Sequence, residues 1–306
     1  MPPSPLLPRS RLPPDPDDPQ DAMNSTFQLP EAAAIRADVQ RALDEDIGSG
    51  DATAQLLPDT VNAEAFVITR EEAILCGQAW FDACFRALDP AVVIQWHASD
   101  GDRLLPNQKF VSLRGNARAL VSGERCALNF VQTLSATATV TARHVAAVEG
   151  TRTRILDTRK TIPGLRLAQK YAVRCGGGWN HRIGLFDAIL IKENHIAAAG
   201  SLAAAVRAAR SHFPDLLLEV EVENFDELHQ ALACGVDRIM LDEFSDDDLC
   251  RAVADVAGRV PLEVSGGVSL ERVRAIAQTG VDFISIGALT KHVRAIDLSM
   301  RVAVGL

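Results

Sequence analysis

Between residues 154 and 286 the chain repeats one pattern: a short apolar run ending in a polar residue, then a stretch with helical spacing. The runs are 154–157, 188–192, 216–222, 238–242, 261–264 and 283–286, and helices are expected at 165–175, 201–211, 225–233, 245–256 and 269–279. Such alternation predicts parallel βα units, which right-handed crossovers wind into an open sheet or a barrel. The run at 216–222 separates the two. Glu219, Glu221 and Glu223 alternate with Val220 and Val222, so three carboxylates share one face of the strand. An open sheet between helices would leave them against apolar side chains, whereas a barrel whose interior meets a charged site accommodates them. The prediction is an α/β barrel, with fewer than eight strands allowed.

Ahead of the barrel the pattern is mixed. Residues 31–44 read as an amphipathic helix, 63–69 and 109–113 as strands, and 126–148, rich in Ala and Thr without Pro or Gly, as a long buried helix. Residues 29–150 therefore form a separate domain of helices and strands, with the barrel at 151–290. Residues 1–28, rich in Pro and Asp, are expected to be a disordered tail.

Composition narrows the function. A net charge of −9 argues against a sequence-independent nucleic-acid binder, which needs a basic face. No apolar run is long enough to span a bilayer. Eight of the 15 prolines fall within the first 19 residues and interrupt any signal-peptide core, so a cytoplasmic address is expected. The six cysteines are scattered without a CxxC pair, which favours reduced thiols over a zinc site.

Charge is also unevenly spread. Residues 152–195 hold nine Lys and Arg against three acids, and residues 211–250 hold twelve acids against one Arg. Charge runs are usually solvated faces, but here they coincide with the C-terminal ends of barrel strands, where such folds place their chemistry. Clustered cations call for a multiply charged anion, and the acids beside them for a metal ion or a developing cation.

Four segments carry candidate chemistry. In DTRKTIPG (157–164), Arg159 offers a carboxylate fork and Lys160 a point charge suited to phosphate. In GGGWNHRIG (176–184), glycines that permit close backbone approach precede His181 and Arg182; the alternatives are a helix terminator and a structural histidine. Lys192 ends an apolar strand and needs a counter-charge, either a substrate anion or Glu219 or Glu221 on the next strand. Ser265, Gly266 and Gly267 after one strand and Gly287 after the next fit a phosphate cradle. Arg125, at the start of a helix, has no evident role by composition.

Together with EDIGSGD (45–51), GERCALN (123–129), LEVEVEN, MLDEF and ISIGALTKH, these segments resemble the quinolinate phosphoribosyltransferases, type II phosphoribosyltransferases also called carboxylating nicotinate-nucleotide pyrophosphorylases. The resemblance runs from about Arg36 to the C-terminus. It implies an N-terminal α/β sandwich, a seven-stranded, incomplete TIM-like α/β barrel, and a C-terminal segment (291–306) returning to the first domain. It also implies a homodimer in which Arg125 reaches the partner's site. The implied activity joins quinolinate to phosphoribosyl pyrophosphate (PRPP) with loss of CO2, in de novo NAD biosynthesis.

By the same resemblance, Arg125, Arg159, His181 and Arg182 hold the quinolinate carboxylates, and Lys160 and Lys192 contact substrate and pyrophosphate. Glu221 and Asp242 serve the ribose and Mg2+, directly or through water and PRPP, and Ser265, Gly266, Gly267 and Gly287 receive the 5′-phosphate. Lys160, Glu221 and Asp242 are the expected catalytic groups. Two positions depart from the family pattern: Glu243, where Asn is common, and LSATAT (134–139), where LSGIAT is common. Two rivals remain, a nicotinate-specific transferase without decarboxylation and a non-catalytic binder on the same scaffold.

Overall fold

The computed structural model describes residues 28–304; the proline-rich tail, apart from Gln28, lies outside the described residues. Helix α1 (Ala32–Ile47) turns Ile35, Val39 and Leu43, spaced four apart, onto the N-terminal core. Strands β1 (Asn62–Thr69) and β2 (Ala73–Ile74), helix α2 (Gln78–Leu88), and strands β3 (Val93–Trp96), β4 (Arg103–Leu104) and β5 (Lys109–Asn116) follow. Trp80, Phe81, Phe85 and Phe110 are wholly buried at the centre of this domain.

Helix α3 (Ala117–Ala147) is 31 residues long and starts nine residues before the expected Cys126. Its N-terminus is capped by Asn116, whose side chain accepts from the amides of Arg118 and Ala119. Gly123 sits inside the helix, where a Cβ would stand 2.9 Å from the Phe85 ring. Tertiary packing overrides helix propensity at this position.

The second domain contains β6 (Arg154–Leu156), α4 (Arg166–Cys175), β7 (Ile189–Ile191), α5 (Glu193–Ala199), α6 (Leu202–His212) and β8 (Leu218–Val222). It continues with α7 (Phe225–Cys234), β9 (Arg238–Asp242), α8 (Asp246–Val256), β10 (Leu262–Ser265), α9 (Val273–Gln278), β11 (Phe283–Ser285) and α10 (Ala288–Lys291). Its parallel sheet runs β6-β11-β10-β9-β8-β7, so the first strand lies beside the last and the sheet curls round. The seventh place is held by a single residue: Trp179 makes a parallel bridge with Leu156. The barrel is thus incomplete, with six laddered strands and one bridge.

Register explains the odd composition of these strands. Val220 pairs with Ile239, Leu241 with Val264, and Ile284 with both Val264 and Ile155. All six are buried in the cluster beneath the outer helices. Burying each such side chain stabilises the fold by about 1.5–3 kcal/mol. Glu219 pairs with Arg238, and Glu263 with Met240 and Phe283. These face the interior and are buried with charge intact or shared. Finally β12 (Leu298–Val304) crosses back and pairs antiparallel with β1, giving the N-terminal sheet the order β12-β1-β5-β3.

Candidate active site

The C-terminal ends of the barrel strands bring most of the predicted residues together. Ile191 is in register with Val220, so the next residues on each strand, Lys192 and Glu221, meet as an ion pair. Of the two counter-charges left open for Lys192, the structure selects Glu221. Glu221 is buried and Lys192 partly exposed. Ser265 lies in register with Asp242. Burial and then the neighbouring Glu243 push the Asp242 carboxyl above the usual carboxylate range, against Lys192 and Lys160. These four charged groups therefore share one mouth.

Arg159 and Arg182 form the second part of the site. Burial and then Arg159 lower the pKa of Arg182. Among the described residues, the Arg182 guanidinium donates only to the Ala188 carbonyl, at 3.3 Å, and Arg159 Nε is buried without a partner. Two adjacent guanidinium groups short of acceptors suit a ligand with more than one carboxylate.

Several of the glycines also make room for close packing. A Cβ at Gly176 would lie 2.4 Å from the Ala138 carbonyl, and one at Gly178 would lie 2.7 Å from Thr141 Cγ2, so both admit helix α3. Gly287 has an ordinary helical φ of −65° and heads a helix of four residues. Its missing side chain makes room for the stem of Lys160, whose Cδ would lie 2.8 Å from a Cβ. Gly266 and Gly267 do have positive φ, +92° and +52°. Helix α9 begins only at Val273, six residues beyond Gly267, so that turn does not lead straight into a helix N-terminus.

Arg125 stays apart. It is exposed on α3 and makes no hydrogen bond or ion pair among the described residues. Thr137 of the same helix bonds Gln169, which in turn supports Ile162 near Lys160. Twelve residues of helix, about 18 Å, separate Arg125 from that contact.

Two family models cover most of the chain. Residues 51–135 match "Quinolinate phosphoribosyl transferase, N-terminal domain" and residues 137–301 the C-terminal domain of the same family. The chain belongs to the quinolinate phosphoribosyltransferase family. A probable carboxylating nicotinate-nucleotide pyrophosphorylase of Bacillus subtilis is 43% identical over 259 residues, 84% of this chain and 90% of that one. The Mycobacterium leprae enzyme of the same name is 42% identical over 277 residues, 87% of this chain and 96% of its own. A solved nicotinate-nucleotide pyrophosphorylase from Francisella tularensis superposes with a TM-score of 0.89 at 51% identity, covering 91% of this chain and 99% of that one.

Within this family member, the floor of the site went unread in the sequence. Asp157 is fully buried and accepts from Lys170 at 2.6 Å, Asn180 at 2.6 Å and the His181 amide at 2.8 Å. Below lies a second buried group: His181, Glu219, Glu263 and Arg238, with Arg238 Nη1 3.1 Å from Glu263 Oε2. The alternation that exposed Glu219 and Glu221 applies equally to Arg238, Met240 and Asp242, and to Glu263 and Ser265. That signal was available for Arg238 and Glu263. Both ring nitrogens of His181 face protein groups, which sets it apart from Arg159 and Arg182.

Proposed function

We propose that the chain transfers the phosphoribosyl group of PRPP to the ring nitrogen of quinolinate, with loss of CO2, giving nicotinate mononucleotide and pyrophosphate in de novo NAD biosynthesis. The observation that carries this reading is the pair Arg159 and Arg182, half-buried together with an unpartnered Nε beside a mouth lined by Lys160, Lys192, Glu221 and Asp242. Quinolinate carries two carboxylates, and each charge-assisted fork contributes about 1.5–3 kcal/mol.

The chemistry follows from where charge develops. As pyrophosphate leaves C1 of the ribose, positive charge grows on the sugar, and the Glu221 and Asp242 carboxylates stabilise it. Lys160 and Lys192 neutralise the departing oxygens; Lys192 is held ready by its pair with Glu221. Once glycosylated, the ring nitrogen is cationic, and loss of the 2-carboxylate as CO2 leaves a carbanion beside that cation, which takes a proton from water at C2. The bond cleavage itself needs no dedicated acid or base. Arg159 and Arg182 contribute by orientation, since equal grip on ground and transition state does not accelerate the step. Ser265, Gly266, Gly267 and Gly287 receive the 5′-phosphate.

Glu221 and Asp242 offer only oxygen donors, which suit a hard divalent cation. Gly266 supports the fit: a Cβ there would stand 2.9 Å from Asp242 Oδ1 and crowd that oxygen. Mg2+ held there with PRPP would offset the charge of the leaving pyrophosphate.

The free Arg125 and the apolar side chains exposed next to Arg182, Leu185 and Phe186 (72% and 74% exposed), support a homodimer whose partner supplies Arg125. Among the described residues no helix is long and apolar enough to cross a membrane, and a cytoplasmic address remains the expectation. Incubation with quinolinate, PRPP and Mg2+, following mononucleotide and CO2, tests the activity. Turnover of nicotinate with none of quinolinate would favour the nicotinate-specific rival, which needs fewer cations than this site holds. Binding without any turnover would favour the non-catalytic rival.

A further inference from the structure

We infer that three residues on one face of α4 are positioning residues for the two halves of the site: Gln169 holds the turn that bears Lys160, Lys170 holds the backbone that bears Arg182, and Arg166 ties the two together. This inference deepens the proposed quinolinate site and rests on that reading for its kinetic part only.

Helix α4 works in both directions. Ala168, Tyr171, Ala172 and Cys175, spaced three and four apart, belong to the N-terminal core. Tyr171 Oη adds a bond to Asp100 Oδ2 at 2.9 Å. Arg166, Gln169 and Lys170 have the same spacing and, at 100° per residue, fall on the opposite face. The helix is thus seated in one domain and presents three polar side chains to the other.

Gln169 is wholly buried and spends its amide on backbone. Its oxygen accepts from the Ile162 amide at 2.7 Å, and its nitrogen donates to the Thr290 carbonyl at 2.9 Å. The Thr290 hydroxyl in turn donates to the Lys160 carbonyl at 2.8 Å. The turn is therefore held on both sides of Thr161, at the carbonyl of Lys160 and the amide of Ile162.

Lys170, also buried, holds the other half. Its ammonium donates to Asp157 Oδ1 at 2.6 Å and to the His181 carbonyl at 2.8 Å, while the same carboxylate oxygen accepts from the His181 amide at 2.8 Å. Residue 181 is gripped at both peptide groups, and the second of these leads directly into Arg182. Asp157 does not depend on Lys170 for its place, because its own amide bonds the Trp179 carbonyl at 3.0 Å. Arg166 crosses between the halves, with Nε 3.2 Å from Thr161 Oγ1 and Nη1 3.3 Å from the Ile183 carbonyl.

Gln169, Lys170 and Asp157 are buried and bonded within the protein, so none reaches a ligand. Their effect on the reaction passes through Lys160 and Arg182. Truncating any of them leaves buried polar groups unpaired, which loosens the segment it held. Gln169 and Lys170 are neighbours in one helix, so general loosening of α4 would damage both halves alike. Positioning predicts that the defects separate.

Two measurements test this. Amide exchange in the free protein needs no substrate. Gln169→Met should accelerate exchange about tenfold in residues 158–164 and leave 180–184 unchanged. Lys170→Arg, which keeps a charge opposite Asp157 but moves the donor, should do the reverse. Should Gln169→Met not fold, Gln169→Glu keeps the acceptor for Ile162 and loses the donor to Thr290. Equal acceleration of both segments in each variant, or none in either, would overturn the inference.

The second measurement is kinetic. Gln169→Met should lower kcat roughly tenfold with quinolinate KM within about threefold of wild type. Lys170→Arg should raise quinolinate KM roughly tenfold with kcat within about threefold. The same change in kcat and KM in both variants would reduce α4 to a structural support. Absence of quinolinate turnover in wild type would sink the proposed function yet leave the exchange result standing.

Discussion

A Cβ placed on Gly287 would lie 2.8 Å from Cδ of Lys160 and 3.5 Å from Thr158 Oγ1. The atom in the way is part of a flexible stem, so the chain can adapt, but only by moving the ammonium. Gly287→Ala should therefore leave thermal stability within about 0.5 kcal/mol and lower kcat roughly 10–100-fold. Unchanged kcat would mean that the position of Lys160 is not set by this contact.

The split between the two halves of the site predicts two kinds of defect. Lys160→Ala should lose turnover far more than quinolinate affinity. Arg182→Ala should weaken quinolinate binding by about 10–100-fold, the worth of one charge-assisted fork. Steady-state kinetics paired with calorimetry separates them, and near-normal values in both variants would remove the assignment.

Donation of Arg125 across a dimer has a stoichiometric signature. Arg125→Ala and Lys160→Ala should each be inactive, yet refolding them together in equal amounts should restore about a quarter of wild-type sites. Each mixed dimer would then contain one intact site. No recovery, with mixed dimers shown to form, would place Arg125 outside the partner's site.

Glu243, directly after Asp242, has φ of +59°. A side chain of its kind in the left-handed region costs about 1 kcal/mol or more, and Asn tolerates it better. Glu243→Asn should raise the melting temperature by about 2 °C. No rise would show that the backbone there relaxes at little cost.

The return of the C-terminal strand depends on pH through Glu71. Its carboxylate accepts from Arg294 at 2.8 Å and from the Asp297 amide at 3.1 Å, and these bonds, Arg294 first, hold its pKa below the ordinary 4.5. A carboxyl depressed in the folded state contributes stability that is complete above its unfolded value and lost as pH falls through the folded one. Amide exchange in β12 should therefore accelerate below about pH 4.5, and Glu71→Gln should show faster exchange already at pH 7. Exchange independent of both would remove Glu71 as the latch.

The barrel was legible because period-two alternation in 218–222 and the repeated βα pattern survive in a single sequence. The strand ends were legible too, since polarity switches where a strand leaves the core. The close packing of Gly176 and Gly178 against α3 was not legible, because a glycine looks the same whether it ends a helix, cradles a ligand or admits a neighbour. Glu263 escaped notice because it stands alone as a charged residue in an apolar run, and Arg238 because it opens one directly after Asp237.

Local sequence, through periodicity and polarity, determined which residues form strands, which face they present and which charges reach the barrel mouth. Only the folded chain decided that Lys192 meets Glu221 and not Glu219, that both nitrogens of His181 turn toward protein, and that Arg125 is left exposed on α3. The reason is that alternation fixes the side of a strand within a few residues, whereas register and helix length act between segments far apart in sequence. A shift of one residue in the pairing of β7 with β8 would turn Lys192 away from Glu221.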